Sequence, residues 1–248
     1  MTFFTGGIAA GRMTTEPVVA AVPAESEATS AMNDAIIRDY ILRNPQIIIE
    51  AQQLFAQQEE QRQADAARAA LAQNTDALIN DPAAPVLGNP QGKITFVEFF
   101  DYNCGFCRRG HEDVAAIAEQ FPDVKIILRP FPILGPESAA AHQVAAAFQS
   151  LYPEKYAALH DGLLTSPGKA DEASAMQLAL GLGGDEAKIR AAMGEPVRNE
   201  ALNRTYALAG ALNIQATPTY IIGDEIISGA VGFESLAGKL KAQSVSSN

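Results

Sequence analysis

The stretch Lys93–Phe100, KITFVEFF, runs directly into the only two cysteines of the 248-residue chain, Cys104 and Cys107. The run is β-branched and aromatic and apolar on both faces, as a central strand covered on both sides must be. After the cysteines, RRGHEDVAAIAEQF has the spacing of an amphipathic helix. A buried strand, a short turn carrying Cys-x-x-Cys and a helix therefore follow one another without a break. Few folds accommodate that order.

Two thiols three positions apart fit three chemistries. A structural zinc needs four ligands, commonly as two pairs. Only His111, His142 and His160 are available to complete one, and His111 alone lies a helical turn from Cys107. A structural disulfide across so short a loop constrains the unfolded chain little. A redox pair fits better. Cys104 would sit at the helix N-terminus, where free N–H groups and the macrodipole favour a thiolate. Cys107, one turn on, would face it from a deeper position and resolve the mixed disulfide. Gly105 leaves room for a partner chain, and Arg108 and Arg109 add positive charge nearby.

Beyond this unit, DVKIILRPFP reads as a second buried strand, and residues 137 to about 213 carry alanine-rich helical stretches without a strand signal. TPTYIIGDEIISGAVG then reads as two short strands around a Gly223–Asp224 turn, and FESLAGKLKAQ as a last helix. Ahead of the unit, NDPAAPVLGNPQG is a linker or contains a short edge strand at 85–87. Strand, helix, strand, helical block, hairpin and helix make an α/β layout with an inserted helical subdomain.

The N-terminal third is different. Helical spacing is expected from Met32, with Ser30 or Asn33 as cap, and Pro45 begins a second helix with an apolar head and a long polar, Gln- and Ala-rich continuation. Ile36, Ile37, Tyr40, Ile41, Ile47, Ile48, Leu54 and Phe55 are more large apolar side chains than an appendage leaves in water, at about 1.5–3 kcal/mol for each one buried. They pack on their own domain or on other copies of the chain, and the polar continuation favours self-association. Residues 1–30 lack periodicity and are expected to be disordered or a targeting segment, although no basic n-region marks a secretory signal.

A formal charge of −11 sets nucleic acid aside. No apolar run approaches the roughly 20 residues that a bilayer crossing needs. Neither G-x-S-x-G nor H-E-x-x-H occurs.

FVEFFDYNCGFC, followed far downstream by ATPTYIIG, resembles the DsbA-like branch of the thioredoxin superfamily over about residues 85–242, with the helical insertion at about 135–213. The resemblance implies a thioredoxin fold preceded by N-terminal helices at 31–80, and protein thiol:disulfide exchange without a cofactor or metal. It implies Cys104 as nucleophile and Cys107 as resolving thiol. Pro218 matches the family's cis-proline, presenting the Thr217 backbone to substrate beside Gly105 and Phe106. Glu98 matches the buried acid that accepts a proton during exchange.

DsbA-type oxidases usually carry Pro-His between the cysteines and valine before the cis-proline. Gly105–Phe106 and Thr217 lie closer to the isomerases. IIRDYILRNPQIIIEA resembles the N-terminal element of ScsC-like proteins, some of which are trimers. These likenesses imply a periplasmic disulfide isomerase or reductase acting on unfolded or misdisulfided proteins, reset by a membrane redox partner and assembled as a homo-oligomer, expected to be a trimer. A monomeric dithiol oxidase and a copper-binding or copper-tolerance protein are the alternatives.

Overall fold

A computed structural model describes residues 27–246. Five strands form one sheet in the order β1-β3-β2-β4-β5, with β1 Val86–Gly88, β2 Ile94–Phe100, β3 Val124–Pro130, β4 Thr219–Ile222 and β5 Glu225–Ser228. β2 and β3 run parallel and the other pairs antiparallel. The double-sided apolar run occupies the centre of the sheet. Its alternate residues enter two different cores. Phe96 and Phe100 face α3 (Gly105–Gln120), α9 (Phe233–Ser246) and the inserted helices. Val97 and Phe99 face Leu71 and Leu78 of α2 and Leu208, Ala209 and Leu212 at the end of α8.

The expected helical block resolves into α4 (Pro136–Leu151), a single 3-10 turn, α5 (Tyr156–Thr165), α6 (Glu172–Gly181), α7 (Glu186–Met193) and α8 (Pro196–Ala211). Asp171 starts α6 with a reciprocal capping box with Ser174. The hairpin turns at Gly223, whose φ of 61° lies in the left-handed region that a side chain disfavours.

The N-terminal segment comprises α1 (Glu27–Arg43) and α2 (Gln46–Ile79), separated at Asn44–Pro45. Asn44 closes α1 by donating its side-chain N–H to the Tyr40 carbonyl, and Pro45 sits immediately before α2. The sequence expectation needs correcting here. α1 begins at Glu27, so Ser30 and Asn33 lie inside the helix rather than at its cap, and residues 27–30 are helical rather than disordered. The rest of the expected disordered segment, residues 1–26, lies outside the described residues.

By contacts the chain divides within α2, between Gln58 and Glu59. Leu71 and Leu78, in the later part of that helix, bury with the sheet residues Val97, Ile127 and Ile221. Arg129 of β3 fastens the end of the same helix. It is 1% exposed and donates to the carbonyls of Ala77 and Leu78 and, at 2.9 Å, to Asp81. In the N-terminal unit, Met32, Ile36, Ile37, Tyr40, Leu42, Ile48, Ile49, Leu54 and Phe55 are exposed. Among the described residues no helix is long and apolar enough to cross a membrane.

Candidate active site

Central strand β2 ends at Phe100, and the chain turns through Asp101–Asn103 into α3, whose N-cap is Cys104. Buried Asp101 organises the turn. Its carboxylate accepts from the Asn103 N–H (2.8 Å), the Ser138 hydroxyl (2.7 Å) and the Leu134 N–H (3.0 Å), and its carbonyl accepts from the Cys104 N–H (3.0 Å). His142 Nε2 accepts from the Tyr102 N–H at 3.3 Å, which makes Nδ1 the protonated nitrogen of the neutral ring. Burial holds the His142 pKa down at about 3.

Both cysteines are free thiols. Cys104 is 6% exposed and Cys107 is fully enclosed. The peptide bond Thr217–Pro218 is cis, and the Thr217 carbonyl accepts from Cys104 Sγ at 3.0 Å. Gly105 opens α3 behind Cys104, and Phe106 projects into solvent at 56% exposure under the Arg109 guanidinium, 4.1 Å from the ring centre.

The two thiols are driven apart electrostatically. The Cys107 thiol donates to the Cys104 sulfur, and this is the largest influence lowering the Cys104 pKa from 9 to about 5. Burial opposes it, while the Thr217 hydroxyl and the N–H groups of Cys107 and Phe106 assist. The same hydrogen bond, together with burial, pushes Cys107 strongly upward. Arg108 donates to the carbonyls of Tyr102 (2.9 Å) and Ser166 (2.6 Å), and Arg109 lies on Phe106.

Glu98 lies on β2 facing the same side as Phe96 and Phe100, and its cross-strand partners are Leu128 and Tyr220. It is 2% exposed, so it is no edge carboxylate in solvent. Burial, with a smaller effect of the Cys104 charge, raises its pKa to about 8. The buried Tyr220 hydroxyl has no hydrogen-bond partner and lies where a Cβ at Gly110 would approach to 2.7 Å. A side chain at Gly110, one turn beyond Cys107, would displace that hydroxyl.

His111 is buried, and its Nε2 lies 2.8 Å from the Asp161 carboxylate. Its ring also meets His160, which packs in turn on Phe100, Tyr102 and Tyr156. This polar aromatic cluster beneath the active-site turn was not anticipated. Its members come from three separate segments, so no local spacing announces them. Among the described residues no group of three or more His, Cys, Asp or Glu side chains is placed to hold a metal ion.

Comparison with known proteins assigns the arrangement. The sequence profile of the DSBA-like thioredoxin domain matches residues 95–241, more than half the chain. The chain belongs to the DSBA-like thioredoxin family. A second profile, the copper resistance protein ScsC N-terminal domain, matches residues 34–62. The Proteus mirabilis ScsC structure in a transitional conformation is 34% identical, with a TM-score of 0.66 over 89% of this chain and 97% of that one. A periplasmic thioredoxin-like protein from Salmonella enterica serovar Typhimurium is 32% identical, with a TM-score of 0.63 over 68% and 94% of the two chains. Disulfide bond formation protein D of Bacillus subtilis is 26% identical over 66% of this chain and 80% of its own length. This member of the DSBA-like family is a thiol–disulfide oxidoreductase of the DsbA/ScsC type.

Proposed function

We propose that the protein is a disulfide isomerase or reductase, with Cys104 as nucleophile and Cys107 as resolving thiol. The observation that carries the reading is Cys104 itself: a thiol lowered to about 5 at the start of α3, with the Thr217 carbonyl 3.0 Å away. The Cys104 thiolate attacks one sulfur of a substrate disulfide, and the other substrate sulfur leaves as a thiolate. In isomerisation a second substrate thiolate then displaces Cys104. In reduction Cys107 gives up its proton and attacks Cys104, forming the Cys104–Cys107 disulfide and freeing the substrate thiol. Glu98, at about 8, exchanges that proton near neutral pH. The Thr217 backbone pairs with the substrate main chain beside Gly105 and Phe106.

The direction toward isomerisation is supported by the N-terminal unit. Its exposed apolar side chains and its match to the ScsC N-terminal domain fit self-association, expected as a trimer, and several thiolates then act on one substrate. The setting proposed is the periplasm, as for the Salmonella relative. The substrates are misdisulfided or unfolded proteins, and a membrane redox partner keeps the pair reduced.

One observation favours an oxidase instead. A thiolate stabilised to about 5 stabilises the reduced pair and so makes its disulfide oxidising. Two assays on one preparation separate the readings: recovery of a substrate carrying scrambled disulfides, and oxidation of a fully reduced one. Fast recovery with slow oxidation supports the isomerase, and the reverse order replaces it with the oxidase.

A further inference from the structure

Behind the active-site turn, a narrow crevice lies between the segment 81–85 that follows α2, strand β3 and helices α4 and α8. Its enclosed space is about 30 Å³. That is room for roughly two waters, or for a group of two or three heavy atoms. Arg129, Arg198 and His142 all line it.

The hydrogen-bonding capacity around this space is unbalanced. Arg129, 1% exposed, spends its terminal nitrogens on Asp81 and on the Ala77 and Leu78 carbonyls, yet its Nε–H meets no acceptor. Arg198 Nε is likewise buried and unpartnered, while its outer nitrogen reaches Glu195 at 3.4 Å. His142 contributes a third donor, because Nε2 accepts from Tyr102 and Nδ1 therefore carries the proton. The carboxylate nearest to hand is already used: Asp81 accepts from Arg129 through one oxygen and from Arg204 through both. The Thr205 hydroxyl, also in the lining, donates to the Ala201 carbonyl. Glu195 is half-exposed and faces the outer end of Arg198.

Buried N–H groups of guanidinium are costly to leave unmade. A single Nε–H from each of two guanidinium groups can meet one oxygen each of a carboxylate. We propose that this crevice is a binding site for a small carboxylate of formate size, held by Arg129 Nε and Arg198 Nε and donated to by His142 Nδ1. Through His142 the occupant would bear on the Tyr102 N–H, two residues before Cys104. The assignment stands independently of whether the enzyme isomerises or oxidises.

The full-length protein is titrated with sodium formate, at ionic strength held constant with sodium chloride, while the unfolding midpoint and the His142 imidazole ¹⁵N resonances are followed. A saturable rise in midpoint with a matching shift at His142 Nδ1 is expected, and half-saturation should move at least tenfold higher in Arg198→Gln. Inorganic phosphate, with five heavy atoms, should give no saturable response. A linear response common to all the salts, or an unchanged midpoint curve in Arg198→Gln, overturns the site. The wild-type protein crystallised from formate decides the matter independently of any variant's folding. Density for a carboxylate between Arg129 and Arg198 supports the assignment, and two waters there, or an adventitious additive only, refute it.

Discussion

Replacing Glu98 by Gln should make the reduced protein more stable, and by an amount that depends on pH. Glu98 is buried on the central strand, and its pKa is raised from 4.5 to about 8. In the unfolded chain the carboxyl ionises above 4.5, whereas the fold withholds ionisation until about 8. A folded-state pKa above the unfolded value means that the native protein holds the proton more tightly. Stability is therefore greatest below 4.5 and is lost as pH rises from there through 8. At pH 7 the differential is roughly 2.5 pH units at 1.36 kcal/mol each, about 3 kcal/mol, and it vanishes near pH 4. Gln keeps the shape without the ionisation, so Glu98→Gln should gain about 3 kcal/mol at pH 7 and almost nothing at pH 4. Urea denaturation of both proteins under reducing conditions at the two pH values measures this. Equal gains at both would show that Glu98 ionises freely in the fold, and the assigned proton exchange would fall with it.

Alkylation of the wild type should modify Cys104 with a midpoint near pH 5 and leave Cys107 unlabelled, whereas preferential labelling of Cys107 would reverse their roles. In Cys107→Ser the Cys104 midpoint should move upward as the thiol donor is lost, and adducts with substrate proteins should accumulate on non-reducing gels. Asp101→Ala leaves the Asn103 N–H, Leu134 N–H and Ser138 hydroxyl without their acceptor and should cost about 3 kcal/mol or more in denaturant titration; a loss below about 1 kcal/mol would mean that water replaces the carboxylate. Removal of residues 1–60 should give a monomer by light scattering that keeps dithiol oxidation and loses isomerisation, and a full-length chain that is itself monomeric would end the oligomer proposal.

Much of the fold is legible from local pattern. KITFVEFF announced a central strand because both of its faces are apolar, and the alanine-rich block announced helices because nothing in it suits a strand. The start of α1 was not legible, since EATSAMND carries no apolar period and only its unbroken helix-compatible composition extends the helix to Glu27. Of the site, the cysteines and Thr217–Pro218 were marked by motif, and Glu98 by the resemblance to the DsbA-like family. His111, His142 and His160 lie on three different helices, and their surroundings exist only after α3, α4 and α5 have packed. Arg129 had a signal that was passed over: an arginine inside VKIILRP, a buried strand, requires a buried acceptor, and Asp81 with the α2 carbonyls provides it.

The contact between Cys104 Sγ and the Thr217 carbonyl exists only while sulfur carries a hydrogen to donate. With the Cys104 pKa at about 5, that hydrogen is gone near neutral pH, and the carbonyl is left free to accept from an arriving backbone. On the proposed reading, one ionisation therefore both arms the sulfur and clears the acceptor that seats a client. Docking and attack are licensed by the same proton, and acid closes both at once.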